Sequence, residues 1–175
     1  MIIFSYLSVS LDFLANIPYV YGVAKGTIRT HPITWLIWTL LTFIIAVIQY
    51  REGAGGGGWL AISATCFNFV ITILSLRGGI GFIDRKDYAV LLVCMICFPL
   101  YFYFHQPLWA ALVITIVDSI SFIPMIRKSL RDPYGESLRF QWLMVAGYSS
   151  SLLALENYSL PICLFPVAMV IMHGL

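Results

Sequence analysis

Charge is what this sequence has least of, and its scarcity decides the class of protein before any motif is read. Asp, Glu, Lys and Arg make up 10% of the 175 residues and hydrophobic residues 61%, whereas soluble globular domains carry roughly 25% charged residues. Together with a mean hydropathy of +0.91, this excludes an ordinary soluble domain and predicts an integral membrane protein. No lysine lies inside an apolar stretch, which excludes a Schiff base of the retinal kind. His31, His105 and His173 fall in different segments, without metal-ligand spacing to one another. There is no GxSxG, HExxH or phosphate-binding glycine loop, and no basic face suited to nucleic acid. No cofactor is expected. Cys66, Cys94, Cys97 and Cys163 all sit in apolar stretches. The CxxC at Cys94 is read as small polarizable residues of a helix core, with a redox or metal pair as the alternative. The amino terminus lacks the charged start of a secretory signal, and Asp12 interrupts its apolar run, so it is expected to remain as a mature helix.

Apolar stretches are there in abundance. A helical span needs about 20 residues, and seven can be drawn: Ile2 to Ala24, Pro32 to Gln49, Trp59 to Leu76, Tyr88 to Phe104, Leu108 to Met125, Leu138 to Leu155 and Leu160 to Met172. Pro32 stands where a first-turn proline is tolerated, and REGAGGGG, residues 51–58, reads as a flexible turn. Seven crossings put Lys25, Arg29, Arg77, Arg85, Lys86, Arg127, Lys128, Arg131 and Arg139 on one side and Arg51 alone on the other. That asymmetry fits the positive-inside rule and predicts an amino terminus outside and a carboxyl terminus in the cytoplasm.

The stretch from Leu11 to Trp38 then repeats much of itself. At a constant offset of 106, Asp12 meets Asp118, Ile17-Pro18 meets Ile123-Pro124, and Lys25 meets Arg131. Spans one and five run in the same direction, so the chain reads as two parallel three-helix repeats, 1–76 and 107–175, around a linker helix within 77–106. Parallel repeats of this kind occur in transporters, with the site at their interface near the midplane.

An ionised carboxylate at the bilayer centre costs on the order of 3 kcal/mol on insertion scales. Asp12 and Asp118 must therefore face protein, water or each other. One reading has them exchange protons and couple transport; the other has them accept hydrogen bonds that fix helix register. Pro18 and Pro124 each remove a backbone hydrogen bond and are candidate hinges, or static kinks. Asn16 lies one turn beyond Asp12 on the same face. Asn16 and Asn68 are candidate solute ligands or interhelical hydrogen-bond donors. Trp35, Trp38 and Trp142 are candidate cavity walls on the inner side, or members of the aromatic belts.

Two Ile-Pro dipeptides near the ends of spans one and five, each followed by a basic loop, in a three-plus-one-plus-three layout with the amino terminus outside, resemble the PQ-loop superfamily. That group includes the SWEET sugar transporters and the lysosomal amino-acid exporters. Residues 29–38, RTHPITWLIW, also look like bacterial membrane proteins of that group. The resemblance implies a seven-helix carrier. Tyr19 and Met125 stand where its glutamines would be, and span seven has no mid-span amide, so it implies architecture and not sugar specificity.

The sequence thus predicts an all-α polytopic carrier, working by alternating access on a small polar or zwitterionic solute, with proton coupling at Asp12 and Asp118, in a bacterial cytoplasmic membrane. The alternative is a non-transporting receptor or assembly protein of the same fold. Intramembrane enzyme activity is disfavoured, because the aspartates lack the glycine-flanked tyrosine motif of intramembrane aspartic proteases. The partners expected are the lipid bilayer and a small-molecule solute, with self-association open and no nucleic acid.

Overall fold

The computed structural model describes residues 1–28, 30, 32–77, 92, 106–122 and 138–175. The expected fourth span (except Leu92), Cys94 and Cys97, Pro124, and the basic loop residues 78–87 and 127–137 lie outside the described residues. Among the described residues there are six α-helices and no strand. They are α1 (Ile2–Ala24), α2 (Pro32–Arg51), α3 (Trp59–Leu76), α4 (Pro107–Ser121), α5 (Leu138–Leu153) and α6 (Leu160–Gly174), with a 3-10 turn at Gly55–Gly58 before α3. Three segments, Ile2–Ala24, Pro32–Arg51 and Gly55–Leu76, are long and apolar enough to cross a membrane.

Helices are the economical form for such a sequence, because every backbone donor in an apolar medium must be satisfied within its own segment. Side-chain hydroxyls follow suit by bonding carbonyls one turn back, Thr39 to Trp35, Thr42 to Trp38 and Thr72 to Asn68. Prolines mark starts at α2 and α4, where the missing N–H would have no helical partner. Pro18 sits inside α1, which continues past it. Of the fifth span, α4 covers Pro107–Ser121, and residues 123–125 lie outside the described residues.

α3 packs on both α1 and α2, and α6 packs on both α4 and α5. Contacts of α1 with α5, and of α2 with α4 and α6, join the two sets. The core lies along α2, where Leu41, Ile44, Ile45 and Ile48 meet Leu60, Ile114 and Phe165, all nearly inaccessible. The outer faces carry Ile3, Phe13, Ile17, Phe69, Ile73 and Ile116 exposed. An apolar surface this continuous is one that lipid would cover.

The bundle has two unlike ends. At one, the 3-10 turn and the residues before it pack against the end of α5 and the segment after it: the Glu156 N–H donates to Ala54 O, Asn157 Nδ2 to Glu52 O and Ser151 Oγ to Gly57 O. Gln49 Nε2 adds a bond to Ile162 O. The glycine run is therefore a packed closure and not the flexible turn expected. A Cβ on Gly56 would run into Ser5 and one on Gly57 into Leu155, so only residues without a side chain allow this approach. At the other end lie Lys25, Arg77 and Arg139, and Thr30 hydrogen-bonds Ser75.

Candidate functional site

Between the middle of the bundle and its basic end, the helices part around a cavity of about 140 Å³. All six described helices contribute to its walls. Helical periodicity selects the positions: Asp12 and Asn16 on α1, Trp35, Trp38 and Thr42 on α2, Ala64 and Asn68 on α3, and Asp118 on α4, with Phe122 just past its end. α5 presents Phe140, Gln141, Met144 and Tyr148, and α6 presents Phe165, Met169 and His173. Residues three, four, seven or eight apart share a helix face, which is the spacing seen on every wall.

Both carboxylates border this one cavity, and both are buried, Asp12 at 0% and Asp118 at 5% exposure. Asp12 is held firmly. Its Oδ1 accepts from Asn16 Nδ2 at 2.8 Å, one turn along α1, and its Oδ2 accepts from Ser63 Oγ at 2.5 Å, across the interface with α3. Asn16 also donates to the Asp12 carbonyl at 3.0 Å. Asp118 lies in the last turn of α4. Tyr148 borders the same cavity as both carboxylates. Asn68 Nδ2 points across to Thr42 Oγ1 at 3.4 Å.

Aromatic rings build the remaining walls. Trp35 and Trp38 stand edge to face with centroids 5.0 Å apart at 86°, and Tyr148 and Phe165 do the same at 6.1 Å and 73°. Tyr148 stacks on His173 at 6.0 Å and 19°, and Phe122 meets the same imidazole edge-on at 5.0 Å. His173 Nδ1 lies 2.5 Å from Gln141 Oε1. An amide oxygen only accepts, so this nitrogen carries the hydrogen.

Of the expected site residues, the cavity brings together Asp12, Asp118, Asn16, Asn68, Trp35 and Trp38. Pro18 lies on the exposed face of α1. Trp142 is a correction: it is 64% exposed and outside the walls, because it stands about 100° around α5 from Gln141. Gln141, Tyr148, Phe122, Phe140, Phe165 and His173 are wall residues not anticipated from the sequence. A usable signal did exist, since Trp35 and Gln141, Trp38 and Met144, and Thr42 and Tyr148 are all 106 positions apart. Among the described residues, no three His, Cys, Asp or Glu side chains form a group able to hold a metal. A cavity of about 150 Å³ holds a benzene ring, so this one suits a solute of similar bulk, with two carboxylates, three amides and a phenol to meet its polar groups. No protein-family model, curated protein or solved structure matches the chain.

Proposed function

We propose that the chain is a seven-helix carrier of PQ-loop or SWEET-like architecture, moving a small polar or zwitterionic solute by alternating access. In this reading Asp12 and Asp118 bind the coupling proton, and the amino terminus faces outward from a bacterial cytoplasmic membrane. The observation that carries it is the central cavity bordered by both carboxylates. Five pairs of wall positions at a spacing of 106, from Asp12 and Asp118 to Thr42 and Tyr148, support two parallel repeats meeting at the site. So does the packing, in which α3 touches both α1 and α2 while α6 touches both α4 and α5. A cavity displaced toward the basic end, opposite a hydrogen-bonded closure at the glycine end, is the asymmetry expected of one state in an alternating cycle. Pro18 and Pro124 serve as hinges between that state and its counterpart.

Solute flux into proteoliposomes, measured with and without an imposed pH gradient, tests the reading. Asp12→Asn and Asp118→Asn are expected to lose gradient-driven flux while still eluting as folded protein. Normal gradient-driven flux in both variants would leave the carboxylates with a register role only, and no flux for any solute would favour the receptor alternative.

A further inference from the structure

Among the described residues, two prolines stand inside helices, Pro18 in α1 and Pro166 in α6. A proline has no N–H to give the carbonyl four residues back, so Pro18 leaves Leu14 O without its helical donor and Pro166 leaves Ile162 O without its own. The two freed carbonyls lie in different surroundings. Leu14 is on the exposed face of α1, whereas Ile162 is at 0% exposure inside the bundle. In an apolar interior a freed carbonyl is tolerated where a neighbouring group supplies the missing bond.

Here the neighbour is Gln49, in the last turn of α2. Its Nε2 donates at 3.2 Å to Ile162 O, the same atom that Pro166 frees. Gln49 is 2% exposed and its Oε1 has no hydrogen-bond partner, so the amide is held by its donor side. The backbone of the same residue begins the closure at the glycine end: Gln49 O accepts from the Ala54 N–H at 2.8 Å, and Ala54 O accepts from the Glu156 N–H at 3.2 Å. Phe165 and Met169, on either side of Pro166, are nearly inaccessible walls of the central cavity. Gln49 thus touches both the closed end and the break in α6, and the break carries part of the cavity wall.

We propose that Pro166 is a joint in α6 and that Gln49 is its positioning residue. By lending from α2 the hydrogen bond that the proline removes, Gln49 sets the bend of α6 and so couples closure of the glycine end to the placing of Phe165 and Met169. A bond lent by a second helix breaks or re-forms when the two helices shift, with no further unwinding of α6. In the carrier reading this joint passes a change at the glycine end to the solute; the joint itself does not depend on that reading.

The full chain in mild detergent tests this without any solute. Backbone amide hydrogen exchange, read by mass spectrometry, is followed over residues 152–158 at the glycine end and 164–170 around the joint. Gln49→Met, close in length and without a donor, should speed exchange in both stretches by about fivefold or more. Pro166→Ala restores an N–H to Ile162 O, so in that background Gln49→Met should change either stretch by no more than about twofold. A side chain that merely fills space would show no such rescue. Pro166→Ser restores the same N–H and serves where Pro166→Ala does not fold; a Gln49→Met chain that folds only with one of these replacements is the same rescue in a stronger form. Equal effects of Gln49→Met in both backgrounds, no effect in either, or a change around the joint that leaves residues 152–158 unmoved overturns the inference. Rescue in a protein that moves no solute into proteoliposomes would remove the carrier reading and leave the joint standing, and flux without rescue would do the reverse.

Discussion

Gly57 and Gly147 offer one chemical change with opposite expected signs. A Cβ on Gly57 would sit 2.5 Å from Leu155 Cδ2 and 2.9 Å from the Leu155 backbone Cα and N. The side-chain atom can rotate away, but the backbone atoms move only if the segment carrying Ala154 and Leu155, both at 0% exposure, moves with them. Overpacking of this kind costs about 1–3 kcal/mol, against about 0.4–1 kcal/mol that Gly→Ala contributes by narrowing the unfolded ensemble. Gly57→Ala should therefore be less stable by about 1–2 kcal/mol. At Gly147 the nearest atoms to an added Cβ are Leu11 Cβ and Ser8 O, both at 3.7 Å, which is ordinary contact. Gly147→Ala keeps the full gain, which within α5 is the same backbone-entropy effect that gives alanine its higher helix propensity. Thermal unfolding in detergent, followed by tryptophan fluorescence, reads both. With about 2–4 °C per kcal/mol for a chain of this size, Gly57→Ala should lose about 2–8 °C and Gly147→Ala gain about 1–4 °C. Gly174→Ala, with nothing within 4 Å, is the control. Shifts of the same sign at Gly57 and Gly147, or an unmoved Gly57→Ala, would refute the account of the glycine end as a packed closure.

Ser63→Ala removes the hydroxyl that reaches Asp12 from α3; a loss of about 0.6–1.7 kcal/mol is expected, and a double-mutant cycle with Asp12→Asn should recover most of it as coupling. Trp142→Leu should leave solute flux unchanged while Trp38→Leu lowers it, because only the second lines the cavity; the comparison is made on initial rates in proteoliposomes. Cys66 is exposed on the outer face of α3, beside a groove lined by Val9, Phe13, Trp59 and Phe67. In a variant with Cys94, Cys97 and Cys163 replaced by serine, it should react in membranes with an apolar maleimide and resist a charged thiosulfonate reagent, as read by mass spectrometry.

Much of the architecture was legible because its causes are local. Low charge and long apolar stretches set the class, and the bounds of α1 and α3 follow from hydropathy to the residue. Asp12, Asn16, Asn68 and Asp118 could be placed in the interior because a polar group in an apolar span has no other favourable place to go. That argument names polar residues and is silent about apolar ones.

The remaining choices needed the packed bundle. Lipid tails and helix interiors are equally apolar, so hydropathy does not say which face of an apolar helix turns inward, and Trp142 looked as good a wall as Trp38. Three-dimensional packing assigned Gln141, Met144 and Tyr148 to the cavity face of α5 and turned Trp142 outward. It also brought His173 from the chain's last turn against Phe122 and Tyr148, and pressed the glycine run against Leu155. The sequence by itself determined which segments are helical and which polar groups must be sheltered, since both follow from one residue and its near neighbours. Only the tertiary structure decided what shelters them, because that depends on side chains a hundred positions away.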